Sequence, residues 1–251
     1  MNTRLELNPN EKRYLNASYK TLPVIDYRGP LVEGYLEKTY RTIESALADY
    51  PRVFATRFDL MLPSGSEGWP SSVISRFIDN FKYELTSSLK QQGIAREKCV
   101  PRFVWAKERD TSHNNHYHIL LILNKDAFFT SGRIGSENTN LVSRIQHSWS
   151  KALGLEFSAG YPLVHFPQKR DYRVNRNSPS FLSELAALFY RASYLSKEDT
   201  KMYQDGTRHF GCSHLSLPKN GYSLEAHVLG SRGVITQAVQ NGAVNVEGVS
   251  L

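Results

Sequence analysis

Two adjacent strand-like segments near the middle of the chain constrain the fold most. Arg102–Asp110 and His116–Leu123 are rich in strand-forming residues, and the polar segment Thr111–Asn115 joins them. So short a connection can join antiparallel strands, whereas parallel strands need a crossover of about a dozen residues. The second segment is continuously apolar after its first residues, as in a strand covered on both faces. The sequence therefore predicts an antiparallel sheet with a layer on each side.

Further strands and helices flank this hairpin, so we predict an α+β fold in which helices pack on an antiparallel sheet. Period-two patterns predict strands, and apolar residues at three- and four-residue spacing predict helices. The predicted strands are Val53–Leu62 and Tyr161–Phe166; the predicted helices open at Pro70-Ser71-Ser72 and end at Gly93, span Leu141–Leu153 with Gly154 as C-cap, and span Ser180–Lys201.

Three regions are predicted along the chain. Residues 1–50 form an N-terminal extension with a helical stretch around Leu31–Leu47, and residues 51–215 form the core. Residues 216–251 form a C-terminal tail that is rich in Gly and Val and nearly uncharged from about His227. This composition predicts an irregular or partly ordered tail.

The overall composition favours a polyanionic partner and a cytoplasmic location. The chain has 31 Lys+Arg against 24 Asp+Glu, a net charge of +7. Cys99 and Cys212 are far apart and belong to no CxxC motif, which argues against a disulfide framework or a cysteine zinc site. No apolar segment approaches the roughly 18 residues of a membrane span, so we expect no membrane partner.

A metal site is predicted on the hairpin. His116 and His118 project from the same face of their strand because side chains alternate with a period of two. If the turn is Thr111–Asn115, Asp110 lies opposite His116 and Glu108 opposite His118. Two imidazoles and a carboxylate would then form part of a site for Mg²⁺ or Mn²⁺. A one-residue shift of register would leave Asp110 or His113 as the third ligand, and surface histidines beside a polar turn are also common without a metal.

A tyrosine nucleophile is predicted on the last helix. Tyr190, Tyr194, Lys197 and Lys201 follow one another at spacings of four, three and four residues, so they share one helical face. A phenol, with an ordinary pKa of about 10, is a poor nucleophile until a nearby cation favours its ionised form. A lysine one turn along the helix supplies such a cation. The alternative is that the tyrosines edge the core and the lysines form a solvated last turn.

These motifs resemble those of the HUH endonucleases, in particular the rolling-circle replication initiators. His116-Tyr117-His118 followed by ILLIL is similar to the HUH strand, although Tyr117 carries a polar tip. Tyr194-Leu195-Ser196-Lys197 resembles the Y-x-x-K nucleophile motif, and Tyr190 resembles the first tyrosine of two-tyrosine initiators. The HUH motif precedes the tyrosine, as in initiators. The resemblance covers roughly residues 50–215 and is strongest to the inovirus gene II initiators and the prophage YagK/YfjJ-like proteins.

The resemblance implies a five-stranded antiparallel palm and a nicking reaction on single-stranded DNA or an origin hairpin. His116, His118 and Glu108 would hold Mg²⁺ or Mn²⁺, and Tyr194 would attack the phosphate to give a 5′-phosphotyrosine link. Lys197 would stabilise charge, and Tyr190 would serve a second transfer or simply pack. A host helicase and polymerase would be further partners. The alternatives are a single-strand transposase or mobilisation nuclease, a non-catalytic DNA-binding prophage protein, and an unrelated metal-dependent hydrolase.

Overall fold

A computed structural model describes residues 4–5, 8–25, 29–63, 69–109, 115–136, 139–157, 161–198, 207–215 and 221–231. These residues form helices packed on an antiparallel sheet, which confirms the predicted α+β class. The strands are β1 (Arg13–Tyr14), β2 (Ser18–Tyr19), β3 (Leu22–Pro23), β4 (Leu31–Val32), β5 (Arg52–Met61), β6 (Arg102–Arg109), β7 (Asn115–Asn124), β8 (Val164–His165), β9 (Asp171–Asn175) and β10 (Phe210–Cys212). The helices are α1 (Glu33–Asp49), α2 (Val73–Gln91), α3 (Leu141–Leu153), α4 (Phe181–Ser193) and α5 (residues 224–231).

The main sheet has five strand positions in the order β10, β6, β7, β5 and then β8 together with β9. The last position is divided, because β8 pairs with the end of β5 at Asp59 and Leu60 while β9 pairs with Arg52–Thr56. All of these pairings are antiparallel. Because β8 and β9 share one position, the sheet has the five positions of the predicted palm but six strands.

Each face of the sheet packs against its own helices. Alternate side chains of β5, β6 and β7 join α1, α4 and α5 in one apolar cluster. The intervening side chains join α2 and α3 in a second cluster centred on Trp149 and several phenylalanines. Burial of both faces explains why His116–Leu123 reads as a nearly continuous apolar run.

The last predicted helix is shorter in the structure. The α-helix α4 ends at Ser193, Tyr194–Ser196 form a 3₁₀ turn, and Lys197 is extended and bridges to Leu31. The Ser193 hydroxyl accepts a hydrogen bond from the Ile25 backbone N–H at 2.9 Å. Tertiary contacts with the N-terminal segment therefore end the helix where local propensity would continue it. Lys201 lies outside the described residues.

One other prediction also needs correction. Tyr161–Phe166 is not one strand, because Tyr161–Leu163 form a 3₁₀ turn before β8. Of the tail, predicted to be irregular or partly ordered, the structure describes residues 221–231, and residues 224–231 are helical. Leu224 and Val228 are buried, which anchors this helix on the first cluster.

The N-terminal region packs with the sheet. Leu36 and Ile43 of α1 are fully buried in the cluster that also contains residues of β5, β6 and β7. The proposed boundaries at residues 50 and 215 remain predictions. None of the described helices is long and apolar enough to cross a bilayer.

Candidate metal centre and nucleophile

The candidate site lies at the turn end of the β6–β7 hairpin, on the face that carries α1 and α4. β6 and β7 pair Glu108 with His116 and Ala106 with His118. The predicted pairing of Glu108 with His118 is therefore wrong by two residues, because Arg109 pairs with Asn115 and the turn begins one residue earlier than expected. A two-residue change preserves the side-chain alternation, so Glu108 still shares a face with both histidines. The alternative ligands Asp110 and His113 lie outside the described residues.

Glu108, His116 and His118 bring three potential ligand atoms together. One such atom from each residue lies within 4.8 Å of the others. His118 Nε2 is 3.2 Å from His116 Nε2 and 3.1 Å from Glu108 Oε2. Glu108 and His118 are buried, with 2% and 6% of their surfaces exposed.

Asp59 fixes the orientation of the His118 ring. Asp59 lies on β5 directly opposite His118, and its Oδ1 is 2.6 Å from His118 Nδ1. Burial alone would raise the pKa of Asp59, but the hydrogen bond from His118 and the charge of Arg57 outweigh it and lower that pKa to about 2. An ionised Asp59 can only accept, so Nδ1 carries a proton, and in the neutral ring the lone pair of Nε2 then faces Glu108 and His116.

Arg57 and His165 complete the surroundings of Asp59. An Arg57 guanidinium nitrogen lies 3.3 Å from Asp59 Oδ1, and His165 Nδ1 lies 3.2 Å from Asp59 Oδ2. The same guanidinium nitrogen is 2.9 Å from His118 Nδ1. The guanidinium nitrogen and His118 Nδ1 both carry hydrogen, so neither can accept a hydrogen bond from the other. We therefore assign the Asp59 carboxylate as the partner of Arg57. Burial lowers the pKa of Arg57.

The geometry of the three ligand atoms fits a divalent cation. In the neutral imidazole with Nδ1 protonated, His118 Nε2 is an acceptor that faces the carboxylate oxygen of Glu108, another acceptor. A cation between two acceptors removes this conflict. Ligands at about 2.1 Å in neighbouring octahedral positions lie about 3 Å apart, close to the 3.1 and 3.2 Å seen here. Oxygen is the usual donor to Mg²⁺, so two imidazoles favour Mn²⁺ over Mg²⁺.

Tyr194 lies directly against this cluster. Its ring meets the His118 ring edge-on, with centroids 5.2 Å apart. Lys197 Nζ donates to the Tyr194 hydroxyl at 2.9 Å and lies 3.0 Å from Glu108 Oε2. Burial alone would lower the pKa of Lys197, but Glu108 and the Tyr194 hydroxyl reverse the effect, so the pKa is raised and the ammonium stays charged.

The short 3₁₀ turn brings Tyr194 and Lys197 together. Side chains three residues apart lie above one another in a 3₁₀ turn, so the pair meets although the α-helix has ended. Tyr190 lies one turn earlier on α4 and is 38% exposed. The predicted α-helix therefore ends before Tyr194 and Lys197, while the catalytic roles of Tyr190, Tyr194 and Lys197 stay predictions.

Asp59 and Arg57 are site residues that the sequence reasoning missed. They stand at alternate positions of the predicted strand Val53–Leu62, in which most of the other residues are apolar. Charged residues are rarely buried without a partner. This alternation was the available signal, because it placed both residues on one face of β5 beside β7.

Comparisons with known proteins identify one family and several similar proteins. The family model described as the YagK/YfjJ C-terminal domain matches residues 15–213. YagK of Escherichia coli K12 is 34% identical over 181 residues, which cover 67% of this chain and 86% of YagK. YfjJ of the same organism is 28% identical over 200 residues, which cover 74% of this chain and 96% of YfjJ. The N-terminal nuclease domain of non-structural protein 1 of minute virus of mice is similar to 82% of this chain and 98% of its own length, at 13% identity and a TM-score of 0.25.

Proposed function

The chain belongs to the YagK/YfjJ C-terminal domain family, and we propose that it is a metal-dependent endonuclease of the HUH type. Its substrate is single-stranded DNA or the single-stranded part of an origin hairpin. It nicks one strand with Tyr194 and remains joined to the 5′ end through a phosphotyrosine. The reaction starts rolling-circle replication of a phage or prophage element.

One observation carries this proposal: the Tyr194 hydroxyl, a buried ammonium and three potential metal ligands occur together. Lys197 links them, since its Nζ contacts both the Tyr194 hydroxyl and Glu108 Oε2. His118 contributes an edge-on ring contact to Tyr194 and a nitrogen to the ligand set. A tyrosine that only packed at the core edge would not need a buried ammonium bonded to its hydroxyl.

The proposed reaction is a transesterification. Tyr194 Oη forms a bond to phosphorus, and the bond from phosphorus to the 3′ oxygen breaks. The phenol proton is released to solvent, and the departing strand takes up a proton to become a 3′-OH. Lys197 stabilises the phenolate through its hydrogen bond and charge. The reverse reaction rejoins the strand, which makes the protein a nickase and a ligase.

The metal requirement follows from the ligand set. His116, His118 and Glu108 would hold Mn²⁺ or Mg²⁺, while Asp59 keeps the His118 lone pair directed at the ion. The bound ion supplies Lewis-acid polarisation of the scissile phosphate. Tyr190, one turn from Tyr194, would serve a second transfer. The 3′-OH would be a primer end for a host polymerase, with a host helicase separating the strands.

Trapping the covalent adduct tests this function. The full chain is incubated with a mixed-sequence pool of single-stranded oligonucleotides labelled at the 3′ end, with Mn²⁺ or with a chelator. We expect labelled protein that survives boiling in detergent with the metal and none with the chelator. If protein became labelled only by oligonucleotides that carry the label at the 5′ end, the tyrosine would be joined to the 3′ end of the DNA instead of the 5′ end. Tight binding without any adduct would instead identify a non-catalytic DNA-binding protein.

A further inference from the structure

A pocket lies between α2, α3 and the described loop residues 132–136 and 139–140. Its volume is about 480 Å³, within the range of small-molecule sites. α2 and α3 cover the face of the sheet opposite to that of Glu108 and His118. The pocket is therefore separate from the tyrosine site.

Hydrogen bonds hold the described part of the loop that forms one wall. Asn140 Nδ2 donates to the Arg133 carbonyl at 2.9 Å, while Asn140 Oδ1 accepts from the Ser143 N–H at 3.0 Å. Gly132 has a φ of +87°, and a Cβ there would come within 2.7 Å of Asn140. The wall is thus formed before any ligand binds, which lowers the entropic cost of binding.

The pocket combines positive charge with an aromatic ring. Arg133 and Arg144 line it together with His147, against one carboxylate, Glu84. Phe157 also lines it, is 43% exposed, and lies 5.7 Å from the His147 ring between centroids. Arginine is well suited to phosphate, and an exposed aromatic ring is a stacking platform for a base.

Gln146 adds a buried polar group to this pocket. The residue is 1% exposed and lines the pocket. Within the described part of the chain, its Oε1 has no hydrogen-bond partner. A buried amide without a partner is costly, and glutamine amides commonly pair with base edges. This cost indicates a ligand that offers a polar edge.

We propose that this pocket binds one nucleotide of a single DNA strand, with its phosphate on Arg133 and Arg144, its base on Phe157 and a base edge on Gln146. The pocket would be a second DNA contact, in addition to the nicking site on the other face of the sheet. The inference rests on the proposed function for the identity of the ligand as DNA, but not for the chemistry at Tyr194. The second contact would help to select where the strand is held.

Charge removal tests the phosphate contact. The double variant R133Q/R144Q is compared with K38Q/K90Q, which removes two exposed lysines that do not line the pocket. Binding of a fluorescent mixed-sequence 20-mer is measured across salt concentrations. We expect R133Q/R144Q to bind about tenfold more weakly than the control. Its slope of log affinity against log salt should be shallower by about 0.7, the value for one phosphate of a single strand.

Two further substitutions test the base contact. Phe157→Ala should weaken binding about tenfold while Phe157→Tyr preserves it, because both aromatic rings stack. Gln146→Met retains the volume and should reduce discrimination among dA, dC and dT homopolymers.

Affinity of R133Q/R144Q equal to that of K38Q/K90Q overturns the inference, as does binding of dAMP in the pocket without any effect of the variants on the oligonucleotide. Failure of the proposed function can be distinguished from failure of this inference. If the proposed function is wrong, the unaltered chain forms no adduct, while the binding measurements still test whether the pocket binds DNA.

Discussion

The two faces of the sheet are built from the same strands but differ sharply at the hairpin end. On one face Tyr117 is 2% exposed and its ring lies 5.9 Å from Trp105 and 6.3 Å from Trp149. On the other face the neighbouring His116 and His118 meet Glu108 and Asp59 instead of apolar side chains. The first face has apolar packing up to the hairpin end, whereas the second carries a polar cluster there.

This difference separates the residues expected to stabilise the fold from those proposed to carry out the chemistry. Apolar burial contributes most of the folding free energy, whereas buried polar groups at best offset their own desolvation. Substitutions at the same level of the sheet should therefore lower mainly the stability on the first face and mainly the cleavage activity on the second. Adjacent residues of one strand serve as matched controls for each other.

The largest expected effect concerns His118 and Tyr117. His118→Ala should abolish cleavage while lowering the free energy of unfolding by about 1–2 kcal/mol, since Asp59 keeps Arg57 and His165 as partners. Tyr117→Ala should lower it by about 3–5 kcal/mol through a cavity. Urea unfolding and the adduct assay measure the two quantities. Normal nicking by His118→Ala would refute the metal site.

A smaller effect is expected at Lys197. Lys197→Met removes the ammonium from the Tyr194 hydroxyl and should slow adduct formation about 10²–10³-fold, as for loss of one donor to a developing anion. Lys107→Met is the control, because Lys107 is equally buried but bonds Thr207 from the opposite face. Single-turnover rates at saturating DNA measure the effect. Equal slowing in both variants would mean that Lys197 acts only through the fold.

Asp59 should affect the metal more than the reaction. Asp59→Asn replaces an acceptor that orients His118 and should weaken metal affinity about 10–100-fold. Activity should return at high Mn²⁺. Asp171→Asn is the control, since Asp171 bonds Thr56 and Ser131 away from the cluster. Mn²⁺ titration followed by thermal shift gives the affinities, and an unchanged midpoint in Asp59→Asn would remove this role.

Tyr190 should show the smallest effect on first cleavage. Tyr190 precedes the 3₁₀ turn that brings Lys197 to Tyr194, and 38% of its surface is exposed. Tyr190→Phe should therefore leave the rate of first adduct formation unchanged within error and impair only a second strand transfer. A two-step transfer assay with a second oligonucleotide measures this. Loss of the first adduct in Tyr190→Phe would reverse the order of the two tyrosines.

Local rules predicted that the three candidate ligands lie together, because this arrangement depends on the alternation of side chains along a strand. His116, His118 and Glu108 share a face in any register that differs by an even number of residues, so the two-residue error was harmless. Tyr194 and Lys197 meet for a similar reason, since a spacing of three brings side chains together in both α and 3₁₀ turns.

Non-local contacts account for what the sequence could not predict. β9 and β10 are short strands whose pairing with β5 and β6 depends on distant parts of the chain. The end of α4 depends on Ile25, about 170 residues away, whose backbone N–H bonds Ser193. Short strands and helix ends of this kind are set by tertiary packing more than by local propensity.

Mass spectrometry of the trapped adduct tests the central claim most directly. The protein–DNA adduct is formed with Mn²⁺, digested with nuclease and protease, and the modified peptide is sequenced by fragmentation. We expect one 5′-phosphonucleotide on the hydroxyl of Tyr194 and none in the His118→Ala variant. A nucleotide found on Tyr190 would contradict the assignment of the nucleophile, and a nucleotide on neither tyrosine would contradict the mechanism.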